Sequence, residues 1–226
     1  MRAGNKQYRK ISDFPTAVPI FPLSGALLLP GGNLPLNIFE SRYLAMIDHS
    51  LCTDRLIGMI QPDLSGRESS NGPALCKIGC LGRLTGFQET GDGRYMINLS
   101  GVCRFRYLGE LEISNGYRRA EIEAYSSDLI DEDADEHETQ PINRKLLLET
   151  FKKYLAANEM DTDWDAVERT DDQTLVTALC MMSPYGPAEK QALLEAESLH
   201  MRAETLVALT EIALAKSNDD QNSILQ

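Results

Sequence analysis

Few residues in this sequence are spaced for chemistry. The stretch "LPLNIFESRYLAMI", residues 34–47, places Glu40 two positions before Arg42, directly after a proline-bounded apolar run. A carboxylate at a helix start complements the helix dipole and accepts backbone N–H bonds. The expected role of Glu40 is therefore a cap, or an ion pair with Arg42, that pins a strand-to-helix turn; a catalytic carboxylate is the rival reading. If the pair is partly buried, removing Glu40 orphans Arg42 and costs about 3 kcal/mol or more. Cys76 and Cys80 form C-x-x-x-C. Zinc needs about four soft or imidazole ligands, and no second pair has suitable spacing. Positions four apart on a strand share a face, so both thiols are expected in a core.

The histidines, His49, His137 and His200, lie in neither an H-E-x-x-H nor a G-x-S-x-G setting. His49 falls near a helix C-terminus, where positive charge is favourable. Gly31-Gly32 is followed by Asn-Leu-Pro without a lysine, so no phosphate cradle forms. A glycosidase-type pair cannot be picked from the many carboxylates without geometry. The expectation is no catalytic residue, no metal and no cofactor.

The bulk properties restrict the partners. The chain has 226 residues, enough for one large or two small domains. Lys and Arg number 22 against 34 Asp and Glu, a formal charge of −12. That balance repels nucleic acid and anionic lipid. The densest basic pairs, Arg104 with Arg106 and Arg118 with Arg119, lack the interleaved aromatics of a single-strand binder. Five scattered cysteines (Cys52, Cys76, Cys80, Cys103 and Cys180) read as reduced thiols. Pro15, Pro19, Pro22 and Pro30 break the N-terminal apolar run, and no later segment approaches a membrane span. The chain is expected to be cytoplasmic.

The elements that position these residues fall into two groups. Residues 1–127 read as a β-rich subdomain of short apolar runs cut by proline and glycine. "TGDGR", residues 90–94, is a hairpin signal. Tyr95, Ile97 and Leu99 share one strand face, while Cys103, Phe105 and Tyr107 alternate with Arg104 and Arg106. One helix is expected at about 40–51, with Leu44, Ile47 and Leu51 on its apolar face. The acidic run of 128–138, "DLIDEDADEHE", reads as a solvated linker. Residues 139–216 read as a helical subdomain. Leu147, Phe151, Tyr154 and Leu155 form one face, a second helical stretch covers 163–182, and Pro187 opens the next helix. Ser198 is a candidate cap. The tail 217–226 is expected to be disordered. The fold class is α+β: a twisted, mostly antiparallel β-domain (a curled sheet or half-barrel) with one helix, then a C-terminal helical bundle.

Residues 21–51, "FPLSGALLLPGGNLPLNIFESRYLAMIDHSL", resemble the opening signature of the Lon protease N-terminal, or substrate-binding, domain. The features shared are Phe21-Pro22, Pro30-Gly31, Pro35-Leu36, Phe39-Glu40 and Arg42-Tyr43. "LIGMIQP", "IGCLGRL", "LSGVCRFRYL" and "EKQALLEA" follow in the family's order, so the resemblance spans roughly 18–215. It implies a PUA-like β-fold followed by a helical bundle. It also implies a role in substrate recognition, while ATPase and peptidase modules elsewhere carry out proteolysis. This chain shows no Walker lysine and no room for a peptidase, and is expected to be a free-standing, non-catalytic member. The implied partner is unfolded or partly folded polypeptide, bound through exposed apolar segments. Candidate contacts are Phe87, Tyr95 and Tyr107, on the β-domain and in a cleft facing the helical half. Pro35, Phe39, Glu40, Arg42 and Tyr43 are expected to be architectural. An adaptor that docks on a separate AAA+ protease is the alternative, and a small enzyme with an unrecognised site is the third.

Overall fold

The computed structural model of the chain describes residues 1–66, 71–129 and 140–224, with side chains described to residue 216 except that of Ser114. The elements are β1 (Arg2–Ala3), β2 (Lys6–Gln7), β3 (Ala17–Pro22), β4 (Asn33–Ile38), α1 (Ser41–Leu51), β5 (Leu56–Ile60), β6 (Ile78–Glu89), β7 (Tyr95–Ser114), β8 (Tyr117–Ala124), α2 (Arg144–Ala157), α3 (Trp164–Arg169), α4 (Asp172–Met182), α5 (Pro187–Glu195) and α6 (Leu199–Ile224). The chain divides into two compact units. One comprises Met1–Ala134 with Tyr185–Leu194, the other Asp135–Pro184 with Glu195–Gln226.

In the first unit the six main strands run in the order β4-β7-β6-β5-β3-β8. The curl implied by the glycine and proline punctuation closes on itself, because β7 also pairs with β8. The length of β7, 20 residues, makes this possible. Its first part pairs with β4 and β6, and its last part with β8. Register shifts at Leu81/Gly82 and Leu84/Gly86 bend β6 around the circuit. All main pairings are antiparallel except β3 with β5. A parallel pair needs a crossover, and the segment carrying β4 and α1 supplies it. Every residue of β5 is buried, as expected where both faces of a strand are covered.

Apolar alternation builds the interior. Val18, Ile20, Leu56, Leu81, Val102, Phe105, Ala120 and Ile122 form one cluster with Tyr8 and Phe14. The ring of Phe105 lies against Gly58 and Gly79; a Cβ at Gly79 would come within 2.5 Å of it and of the Met59 carbonyl oxygen. At Gly101 a Cβ would collide with the carbonyl oxygen of Leu29. Backbone bonds from Gly31 N to Gly101 O, 3.0 Å, and from Gly101 N to Gly32 O, 2.8 Å, lock this close approach.

The helix α5 belongs to this unit because of its polar side chains. Gln61 is 3% exposed. Its Oε1 accepts from Gly25 N at 3.0 Å, and its Nε2 donates to the Pro187 carbonyl at 3.0 Å and to Gln191 Oε1 at 3.3 Å. Gln191 Nε2 donates to the Ile78 carbonyl, and Lys190 Nζ to that of Gly25. Helical periodicity alone groups residues 187–195 with the other helices; these hydrogen bonds group them with the strands.

In the second unit, Asn143, Asp163 and Asp171 cap α2, α3 and α4 by accepting from the backbone three residues on. Ser198 Oγ accepts from Met201 N at 3.1 Å, as its position suggests. The stretch 163–182 is two helices rather than one, since Asp171 starts a new helix after Thr170. Arg144 ties this junction down, donating to Asp172 Oδ1 and to the carbonyls of Val167 and Thr170. Leu147, Phe151, Leu175, Val176, Cys180, Ala203 and Leu206 are buried within the unit. The acidic run departs from a solvated linker at its first residue, Asp128, whose side chain is 8% exposed and bonded to Arg104. Residues 130–138 of the run lie outside the described residues. For the expected tail, the backbone to 224 continues α6, and its side chains lie outside the described residues.

Candidate functional site

The opening motif is built as a corner. Pro35 sits in β4, the edge strand of the sheet, where a residue without an N–H is tolerated. Glu40 is the N-cap residue of α1, but its carboxylate makes no capping bond. It receives Arg42 Nε at 2.9 Å instead. The side chains of Arg42 and Glu40 are 50% and 45% exposed. The pairing expected from the sequence is present, whereas the burial that would make it worth about 3 kcal/mol is not. A solvated pair contributes about 0–1 kcal/mol. Arg42 also lies over the ring of Tyr43, 4.5 Å from its centroid. Tyr43 is buried against Phe21 with centroids 4.2 Å apart. Met46, Ile47 and Ser50 are buried on the same helix, while Leu44 and Leu51 are only half-buried.

Beside this corner lies a small polar cavity of about 160 Å³, lined by Arg42, Tyr43, Tyr117 and Arg118 with Pro22, Pro62 and residues 71–73. Arg118 is held by Glu110 through bonds of 2.6 and 3.0 Å and by the Pro73 carbonyl at 2.9 Å. The hydroxyl of Tyr117 is buried and has no hydrogen-bond partner among the described residues. Three of the four arginines in the basic pairs read from the sequence are drawn into ion pairs within the chain: Arg104 with Asp128 and Arg118 with Glu110, both largely buried, and Arg106 with Glu123 at 3.7 Å, exposed.

The three candidate contact residues separate. Phe87 and Tyr95 meet edge to face at 4.9 Å. Phe87 is 41% exposed. The Tyr95 hydroxyl donates to Asp48 on α1, a bond that raises its pKa. Tyr107 lies toward the other end of β7, opposite Ile122. It is half-buried against the core, and burial raises its pKa too. The structure therefore brings Phe87 and Tyr95 together and leaves Tyr107 out. Rows of paired residues run Ile38–Tyr95–Glu89, Asn37–Met96–Gln88 and Leu36–Ile97–Phe87. This outer end of the sheet carries Phe87, Met96 at 53% exposure and, just past β4, Phe39 at 65%. Met96 escapes sequence reading because it alternates onto the polar face, where Asn33, Asn98, Thr85 and Ser100 are linked by hydrogen bonds.

Among the described residues no three His, Cys, Asp or Glu side chains gather as a metal site. His49 is exposed in the last turn of α1, and His137 lies outside the described residues. His200 Nδ1 is 3.0 Å from the Pro141 carbonyl. Cys80 is fully buried, and desolvation pushes its thiol well above the usual range. Burial pushes Cys103 and Cys180 up to about 12. Cys76 is half-buried, so the C-x-x-x-C pair splits between core and margin. Buried and pushed upward, the thiols of Cys80, Cys103 and Cys180 are not poised as nucleophiles. No helix of the described residues is long and apolar enough to cross a membrane.

Known proteins match this arrangement along most of its length. Two solved structures cover 86% of this chain and 98% of their own: the Lon N-terminal domain protein from Xanthomonas campestris, with a TM-score of 0.57 at 24% identity, and the N-terminal domain of Mycobacterium avium complex Lon protease, with 0.60 at 18%. They share the fold. Among curated relatives, Lon protease of Anaeromyxobacter dehalogenans is 30% identical over 135 residues, and Lon protease 2 of Myxococcus xanthus 29%. Each alignment covers 60% of this chain but 16% of the relative. The family model described as the ATP-dependent protease La (LON) substrate-binding domain matches residues 17–211. With its motifs, its six-stranded sheet and helices α1 to α5 falling inside that match, the chain belongs to the LON substrate-binding domain family.

Proposed function

We propose that this chain is a non-catalytic Lon-type recognition module that binds polypeptide through unfolded or otherwise exposed apolar segments. The observation that carries the reading is the set of large apolar side chains left in solvent at the outer end of the sheet, Phe39, Phe87 and Met96, in a chain of the substrate-binding family. Phe87 lies in the row of Ile97 and Met96 in the next row, on the opposite face, so a partner's apolar groups would clasp the rim of this sheet end from both sides rather than lie on one face. Strand addition suits this end less well. Pro35 interrupts the ladder on the edge strand β4, which favours capture by side chains over capture by backbone. Among the described residues the strongly shifted titratable groups are buried thiols, which supports a binding role over catalysis.

The test is fluorescence anisotropy with a labelled, permanently unfolded polypeptide and its folded counterpart. Saturable micromolar binding of the unfolded form alone is expected, weakened by Phe87→Ser with Met96→Ser. Equal binding of the folded form refutes selectivity for exposed segments. Binding to neither form refutes the reading and transfers weight to an adaptor that docks on a separate AAA+ protease, to be sought by co-purification.

A further inference from the structure

The helical unit contains an apolar cavity that the outer sheet end does not account for. It encloses about 580 Å³ between α2, α3 and α4. Phe151 and Leu155 line it from α2, Trp164 and Val167 from α3, and Leu175 and Leu179 from α4. Met160 and Met182 also line it, and they are 45% and 82% exposed. Such thioether side chains adapt to varied apolar surfaces. The volume lies in the range of built ligand sites and holds two or three large apolar side chains.

The lining is mostly apolar, and two of its polar side chains, Ser183 and Asp161, are already engaged. Ser183 Oγ donates to the Leu179 carbonyl at 2.6 Å, and Thr162 N donates to Asp161 Oδ1 at 2.8 Å. A small polar molecule would find few groups to fix its orientation. What the site offers beyond apolar contact is charge. Residues 159–172 contain Glu159, Asp161, Asp163, Asp165, Glu168, Asp171 and Asp172 against Arg169 alone. Asp172 is engaged with Arg144, while Glu159, Asp161, Asp163 and Asp165 are exposed.

We infer that this cavity is a second polypeptide site, one that takes a short segment with two or three large apolar side chains flanked by lysine or arginine. The apolar side chains enter between Trp164 and Leu179, and the basic flanks lie along the acidic 159–172 segment. The inference rests on the polypeptide-binding reading above and assigns a separate site and a sequence preference to it. Lys152, whose Nζ lies 4.7 Å from the centroid of the Trp164 ring, holds one cation against the indole at the margin of the cavity.

Trp164 is the single tryptophan of the chain, so the cavity reports its own occupancy. The full chain is titrated with two labelled peptides that share a Leu-Phe-Leu core, one flanked by lysines and one by glutamates. The expected result is a blue shift and acrylamide protection of Trp164 with the lysine-flanked peptide, and roughly tenfold weaker binding of the glutamate-flanked one, the gap narrowing at high salt. Leu179→Phe, which narrows the cavity and keeps Trp164 as the single tryptophan, and Asp161→Lys with Asp165→Lys, on the surface, should each weaken the lysine-flanked peptide several-fold. Anisotropy is followed in parallel. Binding seen by anisotropy with unchanged Trp164 emission and unaffected variants overturns this site but leaves the module's polypeptide binding intact. Binding by neither readout overturns both. Two further results assign the cavity to another occupant and overturn the proposal: saturation by the apolar dye ANS that peptide cannot displace, or a Trp164 shift on concentrating the protein alone.

Discussion

The ion pair between Arg104 and Asp128 offers the sharpest test of the packing of the strand unit. Its side chains are 4% and 8% exposed. Arg104 Nε lies 3.1 and 3.0 Å from the two carboxylate oxygens, and Nη2 lies 2.7 Å from Oδ1. The same carboxylate accepts from Arg104 N at 2.7 Å, while Nη1 reaches the Leu194 carbonyl at 3.3 Å. Asp128→Ala removes the carboxylate and strands a guanidinium that has little access to water. Breaking such a buried pair from one side costs about 3–5 kcal/mol. For a chain of this length that corresponds to a fall in melting temperature of about 6–20 °C. Arg104→Met with Asp128→Leu removes both charges, and should recover most of the loss, short of about 1 kcal/mol for the backbone N–H left open. The assay is thermal unfolding followed by circular dichroism on wild type, both single variants and the double variant. An Asp128→Ala melting temperature within about 2 °C of wild type, or a double variant no more stable than the single, would falsify the argument that burial makes this pair costly to break.

The remaining predictions concern other kinds of contact. Glu40→Ala should cost no more than about 1 kcal/mol, because the Arg42 pair is solvated; a melting curve shifted by more than about 4 °C would contradict that. Gln61→Glu should lower the urea midpoint by more than Gln61→Ala does, since a carboxylate would face the Pro187 carbonyl and Gln191 Oε1 with nothing to donate; the alanine variant itself should cost about 2–3 kcal/mol. Gly101→Ala should destabilise by about 1–3 kcal/mol or more through its clash with Leu29. Alkylation of the native protein should label Cys52, with Cys76 slower, and spare Cys80, Cys103 and Cys180, as mass spectrometry would read. The thiols of Cys103 and Cys180 titrate near 12 in the folded chain but near 8.5 when unfolded. The unfolded state therefore releases protons first. Stability is complete below about pH 8.5 and falls by about 1.4 kcal/mol per pH unit for each such thiol as pH rises toward 12. Cys103→Ala with Cys180→Ala should flatten that slope.

Much of the strand unit was legible because period-two alternation and turn glycines are local signals. Phe105, Leu81 and Leu99 fall inside as their alternation demands, and the hairpin of 90–94 joins β6 to β7. The closure of the circuit was not legible, since it depends on β7 being long enough to pair with three neighbours. The place of α5 was hidden for a related reason. Helical spacing shows that residues 187–195 are helical, but only the long-range bonds of Gln61, Lys190 and Gln191 show which unit they complete. Of the candidate contacts, Phe87 and Tyr95 could be read as neighbours across a hairpin, whereas the burial of Tyr107 depends on its distant strand partner, Ile122. Exposure also decided the weight of Glu40, and sequence carries no measure of it. The cavity beside Trp164 was least visible, because each of its walls reads as an ordinary apolar helix face.

The route of the chain sets an order on synthesis. Residues up to 134 leave the ribosome first, but the unit they form also requires 185–194. About fifty residues separate the two pieces, a delay of about 3–10 s at 5–20 residues per second. During that interval the nascent strands carry Gln61 and Arg104 without Pro187, Gln191 or Leu194 to receive them. The unit that emerges first is thus the one whose completion waits on a later piece of chain, and a fragment ending near residue 134 should be retained in a loosened, protease-sensitive form.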